Sequence, residues 1–373
     1  MTTSCRCVAE GALLLASILA CSQPTAAAPS AALASVPSPA TATFAAAPEV
    51  ERGAECALVG ARLVCAEVYE PTELDAEVDP VRTSWDTSGL HYACYPAEVA
   101  DWNGQLLVHF VGTRDDPART HGFAEAACAL GFAAVAPMYH NELGTRARCG
   151  SDSACYERVR REILYGQPAG AAPLRINAQN SALHRLDSLL RKLAVTEPRF
   201  PPWATLRDRI TARDFSEVTL SGHSQGSGHA LMLSRDHEAA RVVLLAGPPD
   251  RLGSGQQRHA AVAWIAEWAA RSKTPAERLW SYLHQDDSVA FAPEVSATLD
   301  ALTVSATTCE VTADAAPPLG CRRVHGAASG CRGFDAHLTP TLARFGVERD
   351  LCRITGTRFD NRQVWAHLLT SPL

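Results

Sequence analysis

The chain has 373 residues, 47% of them hydrophobic, which is enough to bury a large core in one big domain or two small ones. Its net charge is −6, and no long basic stripe appears, which argues against nucleic acid as a partner. The short arginine cluster in YERVRREIL (Arg158, Arg160, Arg161) reads as the solvated face of a helix.

The N-terminal residues read as targeting rather than fold. GALLLASILAC is an apolar run of about ten residues, too short to span a bilayer. It resembles a secretory h-region, and its ending ILAC is similar to a bacterial lipoprotein cleavage box with Cys21 as the lipidated residue. Residues 1–21 are therefore expected to be a signal peptide. Ordinary cleavage near TAAA, residues 25–28, is the other option, and both export the chain. Membrane contact is expected only through a lipid at Cys21. Residues 22–54 are mostly Ala, Pro, Ser and Thr with almost no charge, and such a tract cannot offset its ordering entropy by burial. It is expected to be a flexible linker, leaving 55–373 as the folded part.

Beyond Cys21 come Cys56, Cys65, Cys94, Cys128, Cys149, Cys155, Cys309, Cys321, Cys331 and Cys352. The number is even and no C-x-x-C occurs among them, so disulfides in an oxidising compartment fit better than a zinc site, and no metal is expected. Neighbouring pairs suggest Cys56–Cys65 closing a hairpin over LVGARLV, Cys149–Cys155, Cys309–Cys321 and Cys331–Cys352. Cys94 and Cys128 are left as a fifth bridge or as buried thiols.

From residue 104 onward short apolar runs alternate with helical patterns. QLLVHFVG predicts a buried strand, PARTHGFAEAACALG a helix stopped by Gly131, and FAAVAPMY the next strand. Segment 140–175, rich in Arg, Gly and Cys, interrupts the pattern and is expected to lie over one end of the sheet as a lid or wall. RINAQNSALHRLDSLLRKLAV spaces Ile176, Leu183, Leu186, Leu190 and Leu193 as an amphipathic helix. FSEVTLSG is a strand, GSGHALMLSRDH a helix, ARVVLLAGPPD a strand, AAVAWIAEWAARS a helix and RLWSYLHQ a strand. That alternation predicts an α/β fold with a mostly parallel sheet covered on both faces.

Gly222-His223-Ser224-Gln225-Gly226 fits G-x-S-x-G between that strand and that helix. There the serine turns a strand sharply into a helix, and Gly222 and Gly226 remove side chains that would clash. The following helix aims its N-terminal N–H groups at the site. A plain helix cap by Ser221 or Ser224 is the alternative. On these residues the chain resembles the α/β-hydrolase superfamily from about residue 100 onward. The run from HFVGT through RREILYG further resembles a group of secreted bacterial α/β-hydrolase proteins.

The resemblance implies a nucleophile, Ser224, followed by an acid and then a histidine. Serine needs a base, and the base an orienting carboxylate. The acid should follow RLWSYLHQ, where Asp286 and Asp287 stand. Asp287 is preferred because the family's loop has an apolar residue two positions later, here Val289; Asp286 is the alternate. For the base, His337 in GFDAHLTP resembles the family's catalytic loop, with His325 as alternate. His367 lies in a terminal helix pattern and is expected to pack or face solvent. His223 is expected to pack or touch substrate. The oxyanion is expected to meet the backbone N–H groups of Gln225 and Thr113. The implied activity is ester hydrolysis through an acyl-enzyme, acting on a small ester or acyl substrate without a cofactor. A peptidase or acyltransferase with the same site, or a noncatalytic binding module, are the alternatives.

Overall fold

The structure, a computed structural model, describes residues 55–84, 87–168, 174–252, 261–304, 307–311, 317–327, 333–341, 344–345 and 359–373. The expected signal peptide (1–21), the linker (22–54), Cys21 and the Cys331–Cys352 pairing lie outside the described residues.

Two strands, β1 (Glu55–Val59) and β2 (Arg62–Tyr69), form the hairpin expected around Gly60. Cys56 and Cys65 are direct cross-strand partners and are bridged. Then follow β3 (His91–Pro96), β4 (Leu106–Phe110), β5 (Ala133–Ala136), β6 (Val218–His223), β7 (Arg241–Leu245), β8 (Leu279–His284), β9 (Thr308–Val311) and β10 (Arg323–Gly326). They make one ten-stranded sheet in the order β1-β2-β3-β5-β4-β6-β7-β8-β10-β9. The pairs from β1 to β5 along the edge are antiparallel, and every pair from β5–β4 to β10–β9 is parallel. The parallel strands carry apolar side chains on both faces because both are covered by helices. Along β4, Leu106, Val108 and Phe110 join one core while Leu107 joins the other.

On the first face lie helices Ser153–Tyr165, Ala182–Thr196, Pro202–Thr211 and Gln225–Asp236; on the second lie Gly122–Ala129 and Arg362–Thr370. The last helix is held down by Arg241, which donates to the carbonyls of Leu368 and Ser371 and lies over the Trp280 ring at 4.5 Å. The chain winds one way from β4 to β5 and the other way from β6 through β8. The crevice beyond the C-terminal ends of β4 and β6 is therefore the switch point at which open α/β sheets place ligands.

Several boundaries differ from the sequence reading. The helix expected over PARTHGFAEAACALG begins at Gly122 rather than near 117, and Ser181 caps the long helix, so its pattern starts seven residues late. AAVAWIAEWAARS folds as two short helices, Ala263–Ala266 and Trp268–Arg271. Segment 140–175 contains helices Thr145–Cys149 and Ser153–Tyr165, joined by the Cys149–Cys155 disulfide. Cys309–Cys321 is bridged, and Cys94–Cys128 is a bridge rather than two thiols, tying β3 to helix Gly122–Ala129. Among the described residues no helix is long and apolar enough to cross a membrane.

Candidate active site

Strand β6 ends at His223 and the next helix begins at Gln225, so Ser224 alone turns the chain. Its φ of 51° lies on the left-handed side that L-residues avoid, with ψ at −117°. Hydrogen bonds hold that backbone: Ser224 N donates to Leu245 O at 2.8 Å, and Ser224 O accepts from Ser227 N at 3.1 Å and Ser227 Oγ at 2.5 Å. A Cβ at Gly222 would collide with the Gly226 carbonyl, and one at Gly226 with the Phe110 carbonyl. Neither cap reading applies. Ser224 makes no side-chain bond to the helix it precedes, and Ser221 lies inside β6 with its Oγ 2.8 Å from His109 Nδ1.

Asp287 stands in the loop after β8. Its Oδ1 accepts from the N–H groups of Val289 and Ala290 at 2.8 and 2.9 Å. Its Oδ2 accepts from His337 Nδ1 at 2.8 Å. Both side chains are buried. Burial pushes the His337 pKa below the ordinary imidazole value; the Asp287 bond pulls it back up, and the neighbouring His223 again disfavours the proton. His337 sits inside the short helix Gly333–Leu338 rather than ahead of it. The alternates lie elsewhere: Asp286 is exposed, and His325 sits within strand β10 instead of on a loop. His367 packs in the terminal helix, its Nε2 donating to Cys321 O at 2.7 Å.

His223 brings the segments together. Its Nε2 donates to the His337 carbonyl at 3.0 Å, its ring centroid is 4.7 Å from that of His337, and its Nδ1 faces the Asp115 carboxylate at 3.5 Å. It thus touches the segment that holds His337 and the loop after β4, while adjoining Ser224 in sequence. That loop is also joined to the elbow directly, because Thr113 Oγ1 donates to Gln225 Oε1 at 2.7 Å. A Cβ on Gly144 would lie 3.3 Å from Thr113 Oγ1, so the start of segment 140–175 does reach this end of the sheet.

The arginine cluster is corrected in part. Arg158 is half-buried at the surface, but Arg160 is fully buried. Its guanidinium grips Asp250 with two hydrogen bonds, at 2.6 and 2.5 Å, and donates to Gln225 O at 2.9 Å. A bidentate carboxylate and a carbonyl satisfy a cation that would otherwise be costly to bury. Nothing in the local sequence separates Arg160 from Arg158, because its partner lies ninety residues away.

Strands β3 and β4 and the helix after Ser224 carry buried neutral histidines, His91, His109 and His229. Burial pushes His91 and His109 down to about 3, and holds His229 well below the ordinary value. Each is neutral when folded but takes up a proton when unfolded below pH 6.5. Their contribution to stability is therefore complete above that pH and falls as the pH drops toward the folded values, by about 1.4 kcal/mol per pH unit for each group. Glu67 acts in the opposite sense: burial, then its bond to Glu197, raise it to about 7, so its contribution is lost as pH rises from 4.5 to 7. Urea unfolding is expected to show lower stability at pH 5.5 than at pH 7.5, by roughly 1–4 kcal/mol; equal stabilities would contradict the buried neutral histidines.

No protein-family model and no curated protein matches this sequence. Among solved structures it is similar to a thermophilic esterase from the Planctomycetes species Thermogutta terrifontis, at 14% identity and a TM-score of 0.31, over 76% of this chain and 86% of that one. It is also similar to an S-formylglutathione hydrolase from Agrobacterium tumefaciens, at 12% identity and a TM-score of 0.38, over 74% and 90%. Likenesses that distant add nothing to what the strand order and the elbow establish by themselves. On those two features, the chain has an α/β-hydrolase-type fold, stapled by disulfides.

Proposed function

We propose that this chain is a serine hydrolase that cleaves carboxylic esters through an acyl-enzyme. The observation that carries the reading is the buried Asp287–His337 hydrogen bond, with the His337 ring 4.7 Å from that of His223, the residue before the strained turn at Ser224. In the first step Ser224 Oγ bonds to the ester carbonyl carbon, and its proton passes to His337 Nε2. The tetrahedral oxyanion is received by the N–H groups of Gln225 and Thr113, at the positive end of helix Gln225–Asp236. Collapse breaks the bond to the alcohol, which leaves with the proton from His337. Water then repeats the sequence, with His337 as its base, and releases the acid. Asp287 keeps the imidazole proton on Nδ1, so that Nε2 is free to accept.

Exposed Val289 and Phe291 follow Asp287, and exposed Phe334 precedes His337, with its ring centroid 6.3 Å from the imidazole. Apolar groups on the loop that carries the acid and on the short helix that carries the base favour an ester with an apolar part over a peptide. The four disulfides among the described residues fit an oxidising compartment. With them we read the N-terminal residues as an export signal, with Cys21 as a lipid anchor.

The test is chemical labelling. A fluorophosphonate should attach to Ser224, identified by peptide mass spectrometry, and the protein should hydrolyse p-nitrophenyl esters. A folded chain that neither takes up the reagent nor turns over any such ester would leave only the noncatalytic reading.

A further inference from the structure

Resting on that reading, we infer that Asn141 is a positioning residue for the oxyanion site: it sets the direction of the Thr113 N–H by holding the carbonyl on the other side of the same peptide. Asn141 lies in the loop after β5 and is fully buried. Its Nδ2 donates to Gly112 O at 2.8 Å and to Asp115 O at 2.9 Å. Its own carbonyl accepts from Arg114 N at 2.9 Å. One residue thereby grips the loop after β4 at three points, residues 112, 114 and 115, and Arg114 stands there at a φ of 60°.

The Gly112 carbonyl and the Thr113 N–H belong to one planar trans peptide and point in opposite directions. Fixing the oxygen therefore fixes the hydrogen. The second proposed donor is treated the same way: the peptide carrying Gln225 N–H has its oxygen, Ser224 O, held by Ser227 through both N–H and Oγ. Both amide directions are thus set before substrate arrives, as preorganised stabilisation requires. The two carbonyl acceptors also assign the amide, since the reversed orientation would set Asn141 Oδ1 against two oxygens.

Tyr139 supplies the comparison. Its hydroxyl donates to Val111 O at 2.6 Å on the same loop, but that peptide carries the Gly112 N–H, not the Thr113 one. The experiment uses the full folded chain with p-nitrophenyl acetate as substrate and an alkyl trifluoromethyl ketone as a mimic of the tetrahedral adduct. Asn141→Ala should lower kcat by roughly 10- to 100-fold, a part of the full worth of one donor. KM should stay within about threefold, and Ki for the ketone should rise by the factor by which kcat/KM falls. Tyr139→Phe should keep kcat within about threefold. If Asn141→Ala does not accumulate as folded protein, the isosteric Asn141→Asp, which turns donor into acceptor, carries the same expectation. Wild-type kcat in the Asn141 variant, a change confined to KM, or an equal loss in Tyr139→Phe would overturn the inference while the parent reading stood. A wild-type chain inert to ester and fluorophosphonate alike would overturn both.

Discussion

Replacing Ser224 by Ala is expected to lower kcat by about 10⁶, the cost of removing the nucleophile from a coupled triad. The loss should appear in kcat, with KM for a p-nitrophenyl ester little changed, because the apolar groups near Asp287 and His337 remain. Folding should survive. The Ser224 hydroxyl caps nothing, and the turn is held by backbone atoms of Leu245 and Ser227 that Ala leaves in place. The side chain at this φ is as strained in Ala as in Ser, so the melting temperature should stay close to that of the parent. Residual hydrolysis above the buffer rate would come from oxyanion stabilisation alone. Undiminished turnover in this variant would remove the acyl-enzyme from consideration.

Asp287→Asn is expected to cost about 10⁴ in kcat at nearly constant geometry. The amide nitrogen would donate toward His337 Nδ1, pushing the imidazole proton to Nε2, where it blocks transfer from Ser224. Asp286→Asn, one residue earlier but exposed, should change kcat by no more than a factor of about two. Comparable losses at both positions would contradict the assignment of the acid. The pH profile follows from the same pair. His337 works as a base only when neutral, and burial holds its pKa below 6.5, so the acidic limb of kcat/KM should lie below that value. A limb at or above the ordinary imidazole range would mean that the base is solvated. The buried histidines of the core set a separate limit, since they weaken the fold over the same acidic range in which His337 is still competent.

The parts of this protein with a short-range signature are visible in its sequence. The alternation of apolar runs with helical patterns gives β4, β5, β6, β7 and β8, because strands buried on both faces cannot hide their composition. The elbow is legible because its two glycines and its serine answer a local steric demand. Cys56 and Cys65 are legible as a pair because a two-residue turn separates their strands. What escaped is long-range. Strand β3 mixes His, Tyr and Cys, and it owes its burial to neighbours β2 and β5 on either side. Helix Pro202–Thr211 starts on a proline pair, Pro201 as cap and Pro202 as first residue, yet only Trp203, Leu206 and Ile210 carry its buried side. Asn141 has no motif at all, since its chemistry is a pair of backbone oxygens supplied by residues 112 and 115. In the sequence, Asp287 over Asp286 and His337 over His325 rest on the resemblance to the α/β-hydrolase pattern. Position in one sequence says little about which side chains meet across fifty residues.

The buried Arg160 carries one further consequence. Helix Ser153–Tyr165 belongs to the segment expected from the sequence to act as a lid or wall. Yet its arginine is bolted to Asp250 and to the peptide oxygen of Gln225, the residue after Ser224. Stripping a buried cation from its carboxylate costs about 3–5 kcal/mol. A hinge there would dismantle the machinery it was meant to uncover. Traffic in and out must leave this helix at rest.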